Sequence, residues 1–518
     1  MAGSLRKSVI CFTFSHLTGL LPLRHRICML PLPHGLGMLP LRHVTNPSRC
    51  ASKKSGIASH IYRQTGNEDV GRITSPAAAA QHVDKDKMSM LFGDPCVLFK
   101  HKTTWELFRA LVVLKMCSWN RLVDNSVTLM SLGQRLLGTR LFSALMRPVF
   151  YGQFVAGTSR SEILDCVSRQ QKAGIGPLLS VPIEEDVNDC KIDQQCYDDN
   201  LQVILNCINM AAEVKGNIPM MHLRMTSVLP ANLCLSLSKV FPEPSTNPEL
   251  VKEVAVAMET GETLATLHLS EAEQSQFSKS LARLRAIGQL AVKKDVIVMV
   301  DAEFTYVNHA LNLATLAMML NYNVNTTLIF YTYQNYLKST SQRLRRDLDL
   351  VDKYGVCFGA KIVRGAYMEK ERMLARTQGY PDPINDTFDD TSNMYHDSME
   401  LLLSRISKDS KKTRIIIATH NIQTVKLAKE RLKHYNIDLG TKSVFFGQIF
   451  GMGDHISCRL GYDGYPVYKS IPYGTVTDTL PYLSRRAQEN RAILQGVRQE
   501  KDLLRAAFKG RLLGNSRV

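Results

Sequence analysis

From about Tyr151 onward the chain alternates two patterns: short, almost continuously apolar runs, and longer stretches whose apolar residues recur every three or four positions. The first pattern predicts strands buried on both faces, as in a parallel sheet, and the second predicts amphipathic helices. The strand candidates are Pro177–Ile183, Met220–Val228, Val296–Phe304, Thr326–Gln334, Cys357–Tyr367, Arg414–Asn421, Val444–Gly451 and Pro466–Gly474. Helical spacing lies between them, for example in Gln274–Lys294 and Val307–Tyr322. Eight strands, seven intervening helices and one helix after the last predict an α/β fold, a (β/α)8 barrel. A doubly wound open sheet is the alternative, since periodicity does not separate the two.

Polar and glycine residues gather at the ends of these runs: Arg224, Asp301 with Glu303, Gln334, Lys361 with Arg364 and Gly365, Thr419-His420-Asn421, Gln448 and Ser470. In a barrel the C-terminal strand ends converge on one mouth, where active sites are built. Buried charges need partners, and a shared mouth would let Arg224, Asp301 and Lys361 pair. After the last strand, Lys469–Asn490 passes a Pro-Tyr-Gly turn and enters a helix. Tyr482, Arg485, Arg486 and Glu489 share one face of it. If that face closes a pocket, its two guanidinium groups form an anion clamp.

The net charge of +17 is uneven. Residues 1–67 hold nine Lys/Arg and no acid, which leaves 55 basic against 47 acidic residues in the remainder. That balance, without a long basic run, argues against a nucleic-acid partner. An acid-free, Arg- and Ser-containing start predicts a mitochondrial presequence over 1–67, with a secretory signal around Val9–Leu23 or a disordered tail as alternatives, ahead of a helical arm over 68–150 and the barrel over 151–518. The 12 cysteines show no metal or disulfide spacing and read as reduced thiols. No apolar run is long enough to span a bilayer, although Thr103–Trp119 has the spacing of a helix that packs on the body or lies on a membrane.

No metal-ligand spacing, GxSxG elbow or phosphate-binding glycine loop appears. Two enzyme classes stay open on the residues alone. One is a Schiff-base lyase using Lys361; the other is a cofactor enzyme that binds a small anion through Arg485 and Arg486. The segment Met368–Asp390 reads equally as a lid or as an idle surface insertion.

In this order, "VDAE" (Val300–Glu303), "YTYQ" (Tyr331–Gln334), "KIVRGAY" (Lys361–Tyr367), "IATHN" (Ile417–Asn421), "FGQIFGM" (Phe446–Met452) and "YLSRRAQEN" (Tyr482–Asn490) resemble the proline dehydrogenase family. The resemblance covers roughly Tyr151 to Leu513. It implies a distorted (β/α)8 barrel holding FAD, with the helix after the last strand lying over the flavin. It implies that Arg485 and Arg486 grip the substrate carboxylate, that Glu489 steadies them, and that Tyr367 and Tyr482 wall the pyrrolidine ring. Arg224 falls where the family usually has lysine, and Asp301 belongs to the charge network. Lys361 stands where an arginine near the flavin N5 is common, and a cation there would favour the reduced flavin. Ala302, Gln334, Val363, Arg364, Gly365, Ala366, Thr419, His420 and Asn421 match positions that line FAD.

The implied reaction moves a hydride from the ring carbon beside nitrogen to the flavin, and the electrons go on to quinone. Peripheral association with the matrix side of the inner mitochondrial membrane is implied as well. Ordinary proline dehydrogenases carry tyrosine where this chain has Ser470. The hydroxyproline-oxidising branch carries serine, which gives a 4-hydroxyl both room and a hydrogen-bonding partner.

Overall fold

The computed structural model describes residues 92–181, 183, 194–241, 244–264, 268–492 and 494–514, without the side chains of 120 and 488–497. The presequence expected over 1–67 and the start of the arm lie outside the described residues.

Eight parallel strands close into a barrel in chain order. They are β1 (Ile175–Ser180), β2 (Met220–Leu223), β3 (Ile297–Val300), β4 (Ile329–Gln334), β5 (Phe358–Val363), β6 (Thr413–Ala418), β7 (Val444–Ile449) and β8 (Val467–Pro472). All six residues of β1 pair with β8, from Ile175 opposite Val467 to Ser180 opposite Pro472, which excludes the open sheet. Several strands stop before their apolar runs do, because the next residues find side-chain partners instead of ladder partners. Beyond β2, the Thr226 amide and hydroxyl bond to Glu303, and Met225–Ser227 turns as a 3-10 helix.

Alternation along each strand divides the side chains into two sets. Leu178, Met220, Ile297, Met299, Phe330, Ile416, Phe445 and Tyr468 fill the barrel interior as one apolar cluster. Their neighbours Leu179, Met221, Val298, Ile329, Ile417, Phe446 and Val467 join the larger core between sheet and helices. The lower barrel is therefore packed solid, and the same inward parity carries His222, Asp301, Lys361 and Ser470 to its upper mouth.

The crossovers are richer than one helix each. Between β2 and β3 the chain forms Ala231–Val240, Pro248–Thr260 and Glu271–Lys294. Asn247 caps the second and a Ser270–Glu273 capping box starts the third. The stretch Met368–Asp390, read from the sequence as a lid or a surface insertion, is largely helical. That stretch forms the helix Met368–Gln378, ended by Gly379 at φ 73, and enters Phe388–Lys408 through a Thr387–Asp390 capping box.

Ahead of the barrel, a Thr103–Glu106 capping box starts the helix Thr104–Met116. The helix Ser126–Met146 breaks at Gly138, whose φ of 70 suits glycine. Val113, Cys117, Phe142, Phe150 and Phe154 of this arm pack with Tyr482, Leu483 and Ala487 of the helix Leu480–Ala492. The Ser126 and Ser484 hydroxyls meet at 2.7 Å in that buried interface. The last helix, Leu494–Leu512, returns to the arm as well: Arg511 donates to the Phe99 carbonyl at 2.9 Å, and Phe508 lies 6.0 Å from Phe108 between ring centres. Among the described residues, no helix is long and apolar enough to cross a membrane.

Candidate active site

At the mouth, Lys361 of β5 forms an ion pair with Asp301, which follows β3. His222 of β2 places Nδ1 3.0 Å from the same carboxylate and 3.5 Å from the ammonium. Burial on its own would raise the Asp301 carboxyl. His222 and Lys361 together hold it well below the usual carboxylate range. Burial also lowers the His222 pKa, so at neutral pH the standing positive charge beside Asp301 is the Lys361 ammonium. With Nδ1–H donated to Asp301, His222 keeps a buried Nε2 that makes no hydrogen bond.

The expected triple pairing of Arg224, Asp301 and Lys361 is corrected. Arg224 turns to Glu303, two residues past Asp301, at 3.2 Å. Glu303 also accepts from the Thr226 amide at 3.2 Å and its hydroxyl at 2.8 Å. The strand-end rule found the charges but not their partners, because chain direction changes as soon as the strands end. Burial raises the Glu303 pKa, with Arg224 acting against the rise.

The helix Leu480–Ala492 brings the arginines to this mouth. Arg485 Nη1 donates to the Tyr367 hydroxyl at 3.3 Å, and the Arg486 guanidinium lies 4.7 Å from the centre of the Tyr482 ring. Tyr367 in turn packs against Phe304, ring centres 4.4 Å apart and planes tilted by 43°, and burial pushes its phenol up to about 12. The side chain of Glu489 is outside the described residues. Ser470 sits half-buried on the inner face of β8, opposite Leu178 and Ile449. Its neighbour Lys469 faces the other way and is fully buried. The Lys469 ammonium donates to Ile449 O at 3.1 Å, to Met452 O, and to Asp454 Oδ1 at 2.6 Å. Lys102 of the arm holds the second Asp454 oxygen at 2.7 Å.

The residues expected to line FAD form a chain of contacts along β4 to β7. Asn308 donates to Gln334 at 2.9 Å, and Gln334 donates to the Glu303 carbonyl at 3.1 Å. The Val363 carbonyl holds the Asn335 amide at 2.8 Å. Arg364 donates to the hydroxyls of Thr419 at 3.2 Å, Ser392 at 3.3 Å and Thr424 at 3.0 Å, while its Nε is buried without a partner. No carboxylate pairs with Arg364 among the described residues, and burial lowers its pKa. Beside it, Asn421 caps the helix Ile422–His434 through the Thr424 amide.

A desolvated cation with only neutral partners, next to the positive end of a helix, suits an anionic group such as a diphosphate. Gly365 follows at φ 141 with a Cβ position 1.2 Å from the Tyr336 ring, so this bend requires glycine. His420 accepts from the Ile449 amide at 3.3 Å, and burial first, then the charges of Lys469 and Arg486, lower its pKa to about 3. Ala302 is buried and Ala366 exposed, and neither side chain can hydrogen-bond.

Sequence reasoning passed over His222, although period-two spacing from Met220 puts it on the inner face. It also grouped Gln448 with the mouth. Gln448 instead shares the outward parity of Phe446 and braces Thr419 O and Ser457 at 3.2 and 2.9 Å. A cavity of about 250 Å3 lies apart from this set, lined among others by Arg109, Arg147, Glu162 and Gly451.

Residues 186–499 match the family described as proline dehydrogenase. Hydroxyproline dehydrogenase of Xenopus laevis is 44% identical over 438 residues, covering 85% of this chain and 93% of that protein. The Homo sapiens hydroxyproline dehydrogenase is 38% identical over 430 residues, covering 81% and 93%. Proline dehydrogenase 1, mitochondrial, of Homo sapiens is 30% identical over 530 residues, covering 80% and 88%. Among solved structures, proline utilization A from Bdellovibrio bacteriovorus shares the fold, with a TM-score of 0.54 at 18% identity over 78% of this chain and 38% of that longer one. With a family match over more than half its length and relatives this similar across most of theirs, the chain belongs to the proline dehydrogenase family.

Proposed function

We propose that this protein oxidises trans-4-hydroxy-L-proline to 1-pyrroline-3-hydroxy-5-carboxylate, using FAD and passing the electrons to a membrane quinone, in mitochondria. The observation that carries this reading is Ser470, a small hydroxyl on the inner face of β8 at the same mouth as the two arginines. Named relatives on both sides, hydroxyproline and proline dehydrogenases, support the amino-acid class, and the mitochondrial proline dehydrogenases support the compartment.

Arg485 and Arg486 would hold the substrate carboxylate, for which planar guanidinium forks suit a planar anion. Tyr367 steadies Arg485, and Phe304 steadies Tyr367, so the clamp arrives already aimed. Tyr482 and Tyr367 wall the ring, Arg224 adds positive charge near the carboxylate, and Glu489 is placed on the same helix to support the pair. The residues from Gln334 to Asn421 would hold FAD, Arg364 at the diphosphate and Lys361 at the ring. Bound there, FAD would supply an acceptor for the hydride on the substrate carbon beside nitrogen. Lys361 gives that end of the site a fixed positive charge, and Asp301 and His222 fix where the charge sits. Asp301 takes up the Lys361 nitrogen, which speaks against a Schiff-base role for it.

L-proline oxidation is the second reading, supported by the 30% identity to a proline dehydrogenase. The two separate by kcat/KM for both substrates in wild type and Ser470→Tyr. Loss of one hydrogen bond and of space should cut the hydroxyproline-over-proline preference about tenfold. An unchanged preference would sink the reading of Ser470. A preparation with no flavin absorption near about 450 nm would sink the cofactor.

A further inference from the structure

Among the described residues, the two helical parts of Ser126–Met146 leave a set of aliphatic side chains exposed. Leu129, Leu132, Leu136, Leu137, Leu141 and Leu145 are 42–76% exposed, while Met130, Phe142 and Met146 point into the cluster shared with Tyr482 and Leu483. Leu129, Leu132 and Leu136 follow helical spacing before the break at Gly138, and Leu141 and Leu145 follow it after the break. Six exposed leucines between positions 129 and 145 are more than scattered surface apolar residues.

Charge says what covers them. From Asn125 to Ser161 the sequence has no Asp or Glu. Arg135 and Arg140 stand exposed among the leucines, and no carboxylate pairs with either among the described residues. Protein interfaces favour aromatic anchors and keep charge from their centre. This face has no exposed aromatic, and its cations sit amid the aliphatic stripe. That is the composition of a helix lying in the headgroup layer of an anionic membrane.

We infer that the exposed face of Ser126–Met146 docks the protein on an anionic bilayer, with its leucines in the interfacial layer and Arg135 and Arg140 on lipid phosphates. The inference rests on the proposed quinone acceptor for its purpose. The inner side of the same helix is tied through Ser126 and Ser484 to the helix bearing Arg485 and Arg486, so docking seats the site beside the phase that dissolves a quinone.

The test is flotation of the FAD-loaded full chain with phosphatidylcholine vesicles, with and without roughly one-fifth phosphatidylserine. Residues 1–91 stay intact in every variant, so their charge cancels in the comparison. Leu136→Ser/Leu141→Ser should bind both vesicles at least about tenfold more weakly. Arg135→Gln/Arg140→Gln should lose the preference for anionic vesicles, about fivefold per arginine. Hydroxyproline turnover with a soluble dye acceptor should match wild type in both. Vesicle binding unchanged in both variants overturns the inference. So does a wild-type dimer, seen by sedimentation, that the leucine variant dissociates, since a second copy would then cover the face. A failed substrate reading shows separately, as absent dye turnover with vesicle binding intact.

Discussion

Arg364→Met separates a cofactor-binding role from a structural one. The guanidinium donates to three neutral hydroxyls, lies 4.8 Å from the Tyr395 ring centre, and leaves its Nε unpartnered. Taking a charged group out of water costs several kcal/mol, and replacing this half-buried guanidinium by an apolar side chain of similar reach recovers part of that cost. Three hydrogen bonds lost to neutral groups offset that at about 1 kcal/mol each. The apoprotein should therefore change by less than about 2 kcal/mol in either direction. Against a diphosphate the same guanidinium would make two charge-assisted bonds, worth about 1.5–3 kcal/mol each. FAD affinity should then fall by at least two decades, at about 1.4 kcal/mol per decade. Flavin fluorescence during titration of the apoprotein gives Kd, and urea denaturation of the same sample gives stability. An affinity within threefold of wild type, with more than about 3 kcal/mol of apoprotein stability lost, would make Arg364 a structural bracket and refute the reasoning.

Lys469→Met should cost about 2–3 kcal/mol in urea denaturation, since it leaves Asp454 to Lys102 and takes a donor from two carbonyls. In a double-mutant cycle with Asp454→Asn the two losses should fail to add, and simple additivity would contradict the pairing. Burial, then the charge of Arg343, lower the His309 pKa to about 4. Its folded value lies below the unfolded one of about 6.5, so the stability it contributes is present above pH about 6.5 and lost as pH falls toward 4. Discounted for partial exposure, His309→Gln should lose about 2 kcal/mol less than wild type between pH 7.5 and 4.5, and parallel curves would refute this. Gly365→Ala should destabilise by about 3 kcal/mol or more, because φ 141 and the Tyr336 ring both exclude a Cβ, and a thermal midpoint near wild type would show the bend to be adaptable.

The barrel was legible because parallel strands buried on both faces are written as apolar runs, and all eight runs coincide with strands. Their C-terminal limits were less so. Arg224, Asp301 and Glu303 continue the runs in sequence but turn toward one another in space, and a one-dimensional pattern holds no record of which carboxylate a guanidinium will meet. The Lys361–Asp301 pair was within reach because both strand-end residues share inward parity. His222 was equally readable by parity, two residues after the inward Met220. Arg364, by contrast, takes partners from Phe388–Lys408 and Ile422–His434, whose placement over β5 and β6 is a property of helix packing.

The arm and the C-terminal helices have a consequence for how the chain comes to be folded. The Arg511–Phe99 and Ser126–Ser484 contacts join residues 412 and 358 positions apart. At a synthesis rate of about 5–20 residues per second, the arm emerges roughly 20–80 s before its partner exists. During that interval the faces of Phe99, Val113 and Phe142 that will meet the last two helices have no native cover. The arm is thus the segment a chaperone has most reason to hold, and a chain stopped after β8 would keep its barrel strands while leaving the arm permanently unclaimed.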